Sequence, residues 1–143
     1  MKKVYLSYHD IHTDSIKLAN KIKNNYKPKK LIIISQEGLI PSSIIANYLK
    51  IKDINFIDLK LHHKKNKSSK SKIVKKTISH EKLLVIDTIT DDETTSNLIK
   101  KIMPNSTFAV LYTKMSIKKK EDLSLYNFKK NDLIIFPWES KKL

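Results

Sequence analysis

The chain has 143 residues with no cysteine and one glycine, and its 29 basic residues, all lysines, exceed its 14 acidic residues to give a formal charge of +15. This length predicts one domain over residues 1–143, and 40% apolar with 30% charged residues excludes collagen-like, low-complexity and fully disordered classes. The absence of cysteine excludes disulfides, zinc fingers, iron–sulfur clusters and thiol catalysis. We therefore expect a cytoplasmic protein.

The lysine excess suggests a polyanionic partner, since a strongly basic balance attracts nucleic acids. However, lysine is a point charge and cannot replace the bidentate contacts that arginine makes to guanine and phosphate. The chain is also rich in isoleucine and asparagine, a bias that an AT-rich coding sequence produces whatever the function. Nucleic-acid binding is therefore an alternative that the sequence does not favour.

No stretch approaches the roughly 18 consecutive apolar residues that a membrane-spanning helix needs. The amino terminus, Met1-Lys2-Lys3, is followed too soon by polar residues to form the apolar region of a signal peptide. We expect a protein that is neither exported nor membrane-bound.

Apolar patterning alternates between strand and helix along the chain. Strands are predicted at 4–8, 31–34, 54–61, 83–86, 108–112 and 134–136, and helices at 13–26, from Pro41 onward, and at 95–103. This alternation predicts an α/β fold with a mostly parallel, twisted sheet flanked by helices. Ligands of such sheets bind beyond the carboxyl ends of the strands, which directs attention to loops 35–39, 87–95 and 113 onward.

The segment 62–77 interrupts the pattern with seven lysines and no acid, and so carries +7 of the net charge of +15. One interpretation is a solvated, flexible loop within the domain, and the other is a cationic flap that closes over an anionic substrate. His62 and His63 have no carboxylate or thiol near them in sequence, so they indicate a metal site only weakly.

Four of the 14 acidic residues fall in the window 87–93, directly after an apolar strand. Clustered carboxylates repel each other and are typical of sites for cations or hydroxyl-rich ligands. Helix capping explains Asp92 and Glu93, but it does not explain Asp87 and Asp91. The following residues supply hydroxyls and free N–H groups at a helix start, where a phosphate can bind: Thr94, Thr95 and Ser96.

This window belongs to a pattern of four motifs. Residues 85–95 resemble the phosphoribosyl pyrophosphate (PRPP) motif of type I phosphoribosyltransferases, V-I-D-D-x-x-D-T-G-x-T, and residues 35–41 resemble their pyrophosphate loop, S-R-G-G-L-x-P. Lys114 is similar to the purine-reading lysine, and 136–139 is similar to the F-P-W-E ending of bacterial and archaeal xanthine-guanine and hypoxanthine phosphoribosyltransferases. The four motifs occur in the family's order and cover nearly the whole chain.

The resemblance implies the type I fold with a short C-terminal hood, and it assigns chemical roles. Asp87 would bind a ribose hydroxyl and Mg²⁺, and Asp91 would act as general base or proton relay at purine N7. Carboxylates would stabilise the oxocarbenium-like sugar, while lysine and Mg²⁺ would neutralise the departing pyrophosphate. The 62–77 segment would be the flap.

The resemblance also implies a set of binding residues. The 5′-phosphate and PRPP would be held by Asp92, Glu93, Thr94, Thr95 and Ser96. The pyrophosphate would lie against Gln36, Glu37 and Gly38. The purine would contact Lys114, Leu133 and Ile134. The implied partners are PRPP, a purine base and pyrophosphate, and the implied assembly is a homodimer.

Several positions depart from the family pattern. Thr88 replaces a second acid that helps bind ribose and Mg²⁺, and Gln36 replaces an arginine of the pyrophosphate loop. Glu93 occupies a position where the family has glycine. Leu133 replaces an aromatic residue that stacks on the purine, and Ile135 replaces a glutamate that pairs with the purine 2-substituent.

The resemblance and these departures leave three alternative functions. The first is a 6-oxopurine phosphoribosyltransferase that prefers hypoxanthine, because Ile135 cannot pair with a 2-amino or 2-oxo group. The second is a regulatory module that binds nucleotides without turnover, and the third is an RNA-binding regulator on the same fold. Salt dependence separates the third from the others, since binding to a polyanion weakens steeply as salt rises.

Overall fold

A computed structural model describes residues 1–59, 82–90, 93–114 and 121–139. Within these ranges the helices are α1 Tyr8–Asn25, α2 Leu39–Leu49 and α3 Glu93–Ile102. Two strands near the chain ends are β1 Lys3–Tyr5 and β7 Leu133–Ile135. Five further strands are β2 Lys30–Ile33, β3 Asp53–Phe56, β4 Leu83–Thr90, β5 Thr107–Lys114 and β6 Leu123–Phe128. The predicted loop 62–77 lies outside the described residues.

The main sheet has the strand order β3-β2-β4-β5-β6, and all of its pairings are parallel. Its central strands are apolar on both faces because helices cover both faces. Leu31 and Ile33 belong to one buried cluster with residues of α1 and α2, whereas Ile32 and Ile34 belong to another with Ile99 of α3. The predicted parallel α/β sheet flanked by helices is thus confirmed.

The two short strands β1 and β7 form a separate parallel pair, in which Val4 lies opposite Ile134. Ile134 and Phe136 are buried and join the core cluster under α1 and α2. The carboxyl end of the chain therefore packs as a short hood on the core that the main sheet builds. Among the described residues, no helix is long and apolar enough to cross a membrane.

The first helix begins earlier than predicted. Ser7 is its N-cap, and the Ser7 side chain accepts a hydrogen bond from the backbone N–H of Asp10, while the Asp10 carboxylate accepts one from the Ser7 N–H. This capping box stabilises a helix start at Tyr8, so the predicted strand 4–8 was wrong at its carboxyl end.

Strand β6 was not predicted at all. It pairs with β5. Just before β6, two hydrogen bonds join Asp122 to Phe108 of β5: the Asp122 N–H donates to the Phe108 carbonyl at 2.8 Å, and the Phe108 N–H donates to Asp122 Oδ2 at 2.7 Å.

The strand 83–86 was predicted too short, since β4 continues to Thr90. Asp87 therefore lies inside a strand rather than after one.

Candidate active site

The site is built where β2 ends beside β4, which continues past it to Thr90. Ile33 lies opposite Ile86 in their parallel register, so the loop after β2 reaches the same edge of the sheet as the acidic end of β4. This arrangement brings together residues 35 and 87, which are 52 positions apart in sequence. The predicted meeting of these two loops at the carboxyl ends of the strands is confirmed.

Asp87 is held in one orientation by neighbouring donors. The Ser35 hydroxyl donates to Asp87 Oδ1 at 2.7 Å, and the Thr88 N–H donates to the same oxygen at 2.8 Å. The Ser35 oxygen in turn accepts the Gly38 N–H at 3.0 Å. The half-buried carboxylate thus joins the two motif loops directly, and Ser35 is a positioning residue that the predicted set of site residues omitted.

Thr88 connects the same two loops from inside the protein. Its side chain is fully buried, and its hydroxyl donates to the Glu37 carbonyl at 2.7 Å. Because side chains alternate along a strand, Thr88 points away from the side on which Asp87 lies. The threonine that stands in place of the family's second acid therefore tethers the 35–41 loop to β4 in this protein.

Gly38, the one glycine of the chain, lies where this loop packs closely against β4. A Cβ atom at this position would lie 3.2 Å from Ser35 Oγ and 3.3 Å from the Ile86 carbonyl oxygen. Its φ of −70° is one that any residue adopts, so the requirement is for space. The preceding Gln36 and Glu37 are exposed and available to a ligand.

The phosphate-binding residues predicted at the start of α3 are only partly described. Asp91 and Asp92 lie outside the described residues, whereas Glu93, Thr94, Thr95 and Ser96 form the first turn of the helix. Thr90 and Ser96, on either side of the gap, are buried, and their hydroxyls have no hydrogen-bond partner within the described ranges. Buried hydroxyls are usually paired, and these two flank the predicted phosphate site in sequence.

A pocket lies beyond the carboxyl end of β5. It has a volume of about 360 Å³ and is lined by Lys114 and Leu133, two of the three predicted purine contacts, together with Met1, Lys130, Asn131 and Asp132. The Thr113 hydroxyl donates to Glu121 Oε1 at 2.8 Å, and both residues are buried, which fixes the strand end beside Lys114.

The third predicted purine contact, Ile134, is not in this pocket. It is 8% exposed and packs in the hydrophobic core, because alternation along β7 directs it opposite to Leu133. Ile134 therefore has a core-packing side chain, and any contact with a base would come from its backbone. Asp132, which sequence reasoning missed, supplies the pocket's carboxylate.

No group of three metal-ligating side chains occurs in the described part of the chain. Mg²⁺ does not need one, since it is commonly bound by one or two carboxylates together with substrate phosphates and water. Asp87, oriented by Ser35 and Thr88, fits such a role. His62 and His63 lie outside the described residues.

Comparisons with known proteins agree with this geometry. No family model matches the chain. It is 30% identical over 142 residues to a xanthine-guanine phosphoribosyltransferase of Desulfotalea psychrophila, with 98% of this chain and 89% of that protein covered. Among solved structures, it is similar to a purine phosphoribosyltransferase from Pyrococcus horikoshii, with a TM-score of 0.74, 19% identity, and 100% and 98% of the two chains covered.

A hypothetical protein from Neisseria gonorrhoeae with bound ppGpp has the same fold, with a TM-score of 0.75, 22% identity, and 99% and 91% of the two chains covered. One assignment follows from the strand order of the sheet, from the contact between the two motif loops, and from the 30% identity to a xanthine-guanine phosphoribosyltransferase over 98% of this chain. The chain belongs to the type I phosphoribosyltransferase family of enzymes.

Proposed function

We propose that the protein transfers the phosphoribosyl group of PRPP to a 6-oxopurine, with hypoxanthine as the preferred base. The observation that carries this proposal is the contact between Ser35 and Asp87, which joins the pyrophosphate loop to the PRPP motif at one sheet edge. The relationship to a xanthine-guanine phosphoribosyltransferase supports the same reaction class.

In the proposed reaction, purine N9 forms a bond to ribose C1′ while the bond from C1′ to the pyrophosphate oxygen breaks. Asp87 binds the ribose hydroxyls and stabilises positive charge on the sugar, an interaction that strengthens as the charge develops. Bound Mg²⁺ would neutralise the leaving pyrophosphate. By resemblance, Asp91 takes the proton from the purine, and Asp91→Asn should lower kcat by about 10²–10⁴-fold.

The proposed base site is the pocket of Lys114 and Leu133. The Lys114 ammonium donates to the purine 6-oxo oxygen, and Leu133, an exposed apolar side chain, covers one face of the ring. Ile135 offers no polar side-chain atom to a purine 2-substituent. A base without such a substituent therefore loses no hydrogen bond on entering the site, and this favours hypoxanthine over guanine and xanthine.

The direct test is an assay of nucleotide formation from PRPP and Mg²⁺ with hypoxanthine, guanine, xanthine and adenine in parallel. We expect the highest kcat/KM with hypoxanthine and the lowest with adenine, which lacks the 6-oxo group. Transfer with equal or higher kcat/KM for xanthine would refute the base preference but leave the reaction class intact. No transfer to any base would refute the reaction.

A nucleotide-binding regulator is the second candidate. It is favoured by the departures at Gln36 and Glu93 and by the related fold of the Neisseria gonorrhoeae protein with bound ppGpp. Saturable binding of PRPP or a nucleotide without transfer to any of the four bases would select it. In either case we propose a cytoplasmic homodimer, which sedimentation would reveal as twice the chain mass of 16.7 kDa.

A further inference from the structure

A larger pocket lies at the opposite end of the sheet from the candidate active site. It has a volume of about 620 Å³ and lies between the carboxyl end of α1 and the amino ends of β4 and β5. Lys82 and Leu83 line it where β4 begins, and Thr107 lines it where β5 begins. At about 3.3 Å per residue, Leu83 lies roughly 13 Å along β4 from Asp87.

The size and lining of this amino-end pocket suit a small polar ligand. Small-molecule sites typically have volumes of about 300–1,000 Å³. Three lysines line the pocket, Lys23, Lys27 and Lys82, and no acidic residue does so within the described part of the chain. None of the three lysines makes an ion pair with the described residues, in contrast to Lys30, which pairs with Asp53 at 3.2 Å.

The number of lysines alone does not identify a site, since the whole chain has 29 of them in 143 residues. The asparagines are more informative, because the chain has only ten and three of them, Asn24, Asn25 and Asn105, line this pocket. The side chains of Asn24 and Asn105 make no hydrogen bond to described residues. Amide groups of this kind can both donate to and accept from the edges of a heterocyclic base.

An aromatic ring completes the lining. Tyr26 is the C-cap residue of α1, is 36% exposed, and lines the pocket together with its neighbours Asn25 and Lys27. Its ring can stack on a base, while the lysine ammonium groups can bind phosphates as compact positive charges. The helix dipole accounts for Lys23 near the end of α1, but it does not account for Lys27 or Lys82.

We propose that this amino-end pocket binds a nucleoside polyphosphate, with its phosphates on Lys27 and Lys82 and its base against Tyr26. The pocket shares no residue with the candidate active site, so this inference does not depend on the proposed function. A ligand there contacts the start of β4, whose other end carries Asp87.

NMR titration of the ¹⁵N-labelled full chain with ATP, without Mg²⁺, tests the proposal residue by residue. We expect saturable shifts of the Tyr26, Asn105 and Thr107 amides, with affinity at least tenfold weaker in the double variant Lys27→Gln/Lys82→Gln. The matched control is Lys29→Gln/Lys52→Gln, which removes the same charge from two exposed lysines outside the pocket. Its affinity should stay within twofold of the native value.

Two results would overturn the proposal. One is the absence of saturable shifts at these amides up to about 10 mM ATP. The other is equal weakening in both double variants, which would show general attraction to a basic surface. The amide spectra also report whether each variant is folded, so unfolding cannot be mistaken for lost binding.

Discussion

Replacing Thr88 by valine tests whether the pyrophosphate loop is tethered from inside the protein. Valine has nearly the same shape as threonine, so the substitution leaves no cavity but removes the 2.7 Å hydrogen bond to the Glu37 carbonyl. A typical intramolecular hydrogen bond contributes about 0.5–1.5 kcal/mol to stability.

We therefore expect Thr88→Val to lower the free energy of unfolding by about 1 kcal/mol, measured by urea denaturation. For a chain of this length, such a change lowers Tm by roughly 2–5 °C. The matched control is Thr107→Val, at the start of β5, where the side chain makes no hydrogen bond to a described residue. That control should change stability by less than about 0.5 kcal/mol.

The tether also predicts a functional effect, because Glu37 and Gly38 belong to the loop proposed to bind pyrophosphate. Thr88→Val should raise KM for PRPP several-fold while kcat changes less, since binding and not chemistry depends on the loop. If Thr88→Val and Thr107→Val have the same stability and the same KM, the hydroxyl does not hold the loop, and the reasoning is wrong.

Three other substitutions test separate parts of the structure. Gly38→Ala should raise KM for PRPP, because the new Cβ would lie 3.3 Å from the Ile86 carbonyl and push the loop away from β4, and a native KM would contradict that close approach. Asp87→Asn should weaken PRPP binding in calorimetry, whereas Asp53→Asn at the edge strand should not. Burial and a hydrogen bond to Asp14 raise the pKa of Tyr112, so the stability that protonated Tyr112 contributes is fully present below about pH 10 and is lost progressively as the pH rises above that value. Tm measured from pH 8 to 11 should therefore fall more in the native protein than in Tyr112→Phe, and parallel curves would contradict this.

The central strands could be predicted from sequence because burial on both faces requires continuous apolar runs. The runs 31–34 and 83–86 identified β2 and β4, and the parallel α/β rule then placed their carboxyl ends together. The polar carboxyl end of β4, residues 87–90, was missed. These residues pair with β5 through backbone hydrogen bonds, which the hydropathy of the side chains does not indicate. Strand β6 was missed because apolar and polar residues alternate over only a few positions in it. It lies at the edge of the sheet, where a strand does not need a continuous apolar run.

The site was predictable in its location but not in its contacts. Motif spacing indicated Asp87 and the 35–41 loop, yet the hydroxyls of Ser35 and Thr88 act on partners about 50 positions away in sequence. Such pairs depend on strand register, which a single sequence does not specify. The capping box of Ser7 and Asp10, by contrast, is a local S-x-x-D pattern, and it was missed when a strand was predicted over 4–8.

A crystal structure of the protein with PRPP and Mg²⁺ tests the central claim most directly, because it shows which residues hold the substrate. The account predicts the ribose hydroxyls within hydrogen-bond distance of Asp87, the pyrophosphate against residues 36–38, and the 5′-phosphate at the first turn of α3. PRPP bound elsewhere, or a ribose that makes no contact with Asp87, would contradict the assignment of this sheet edge as the active site.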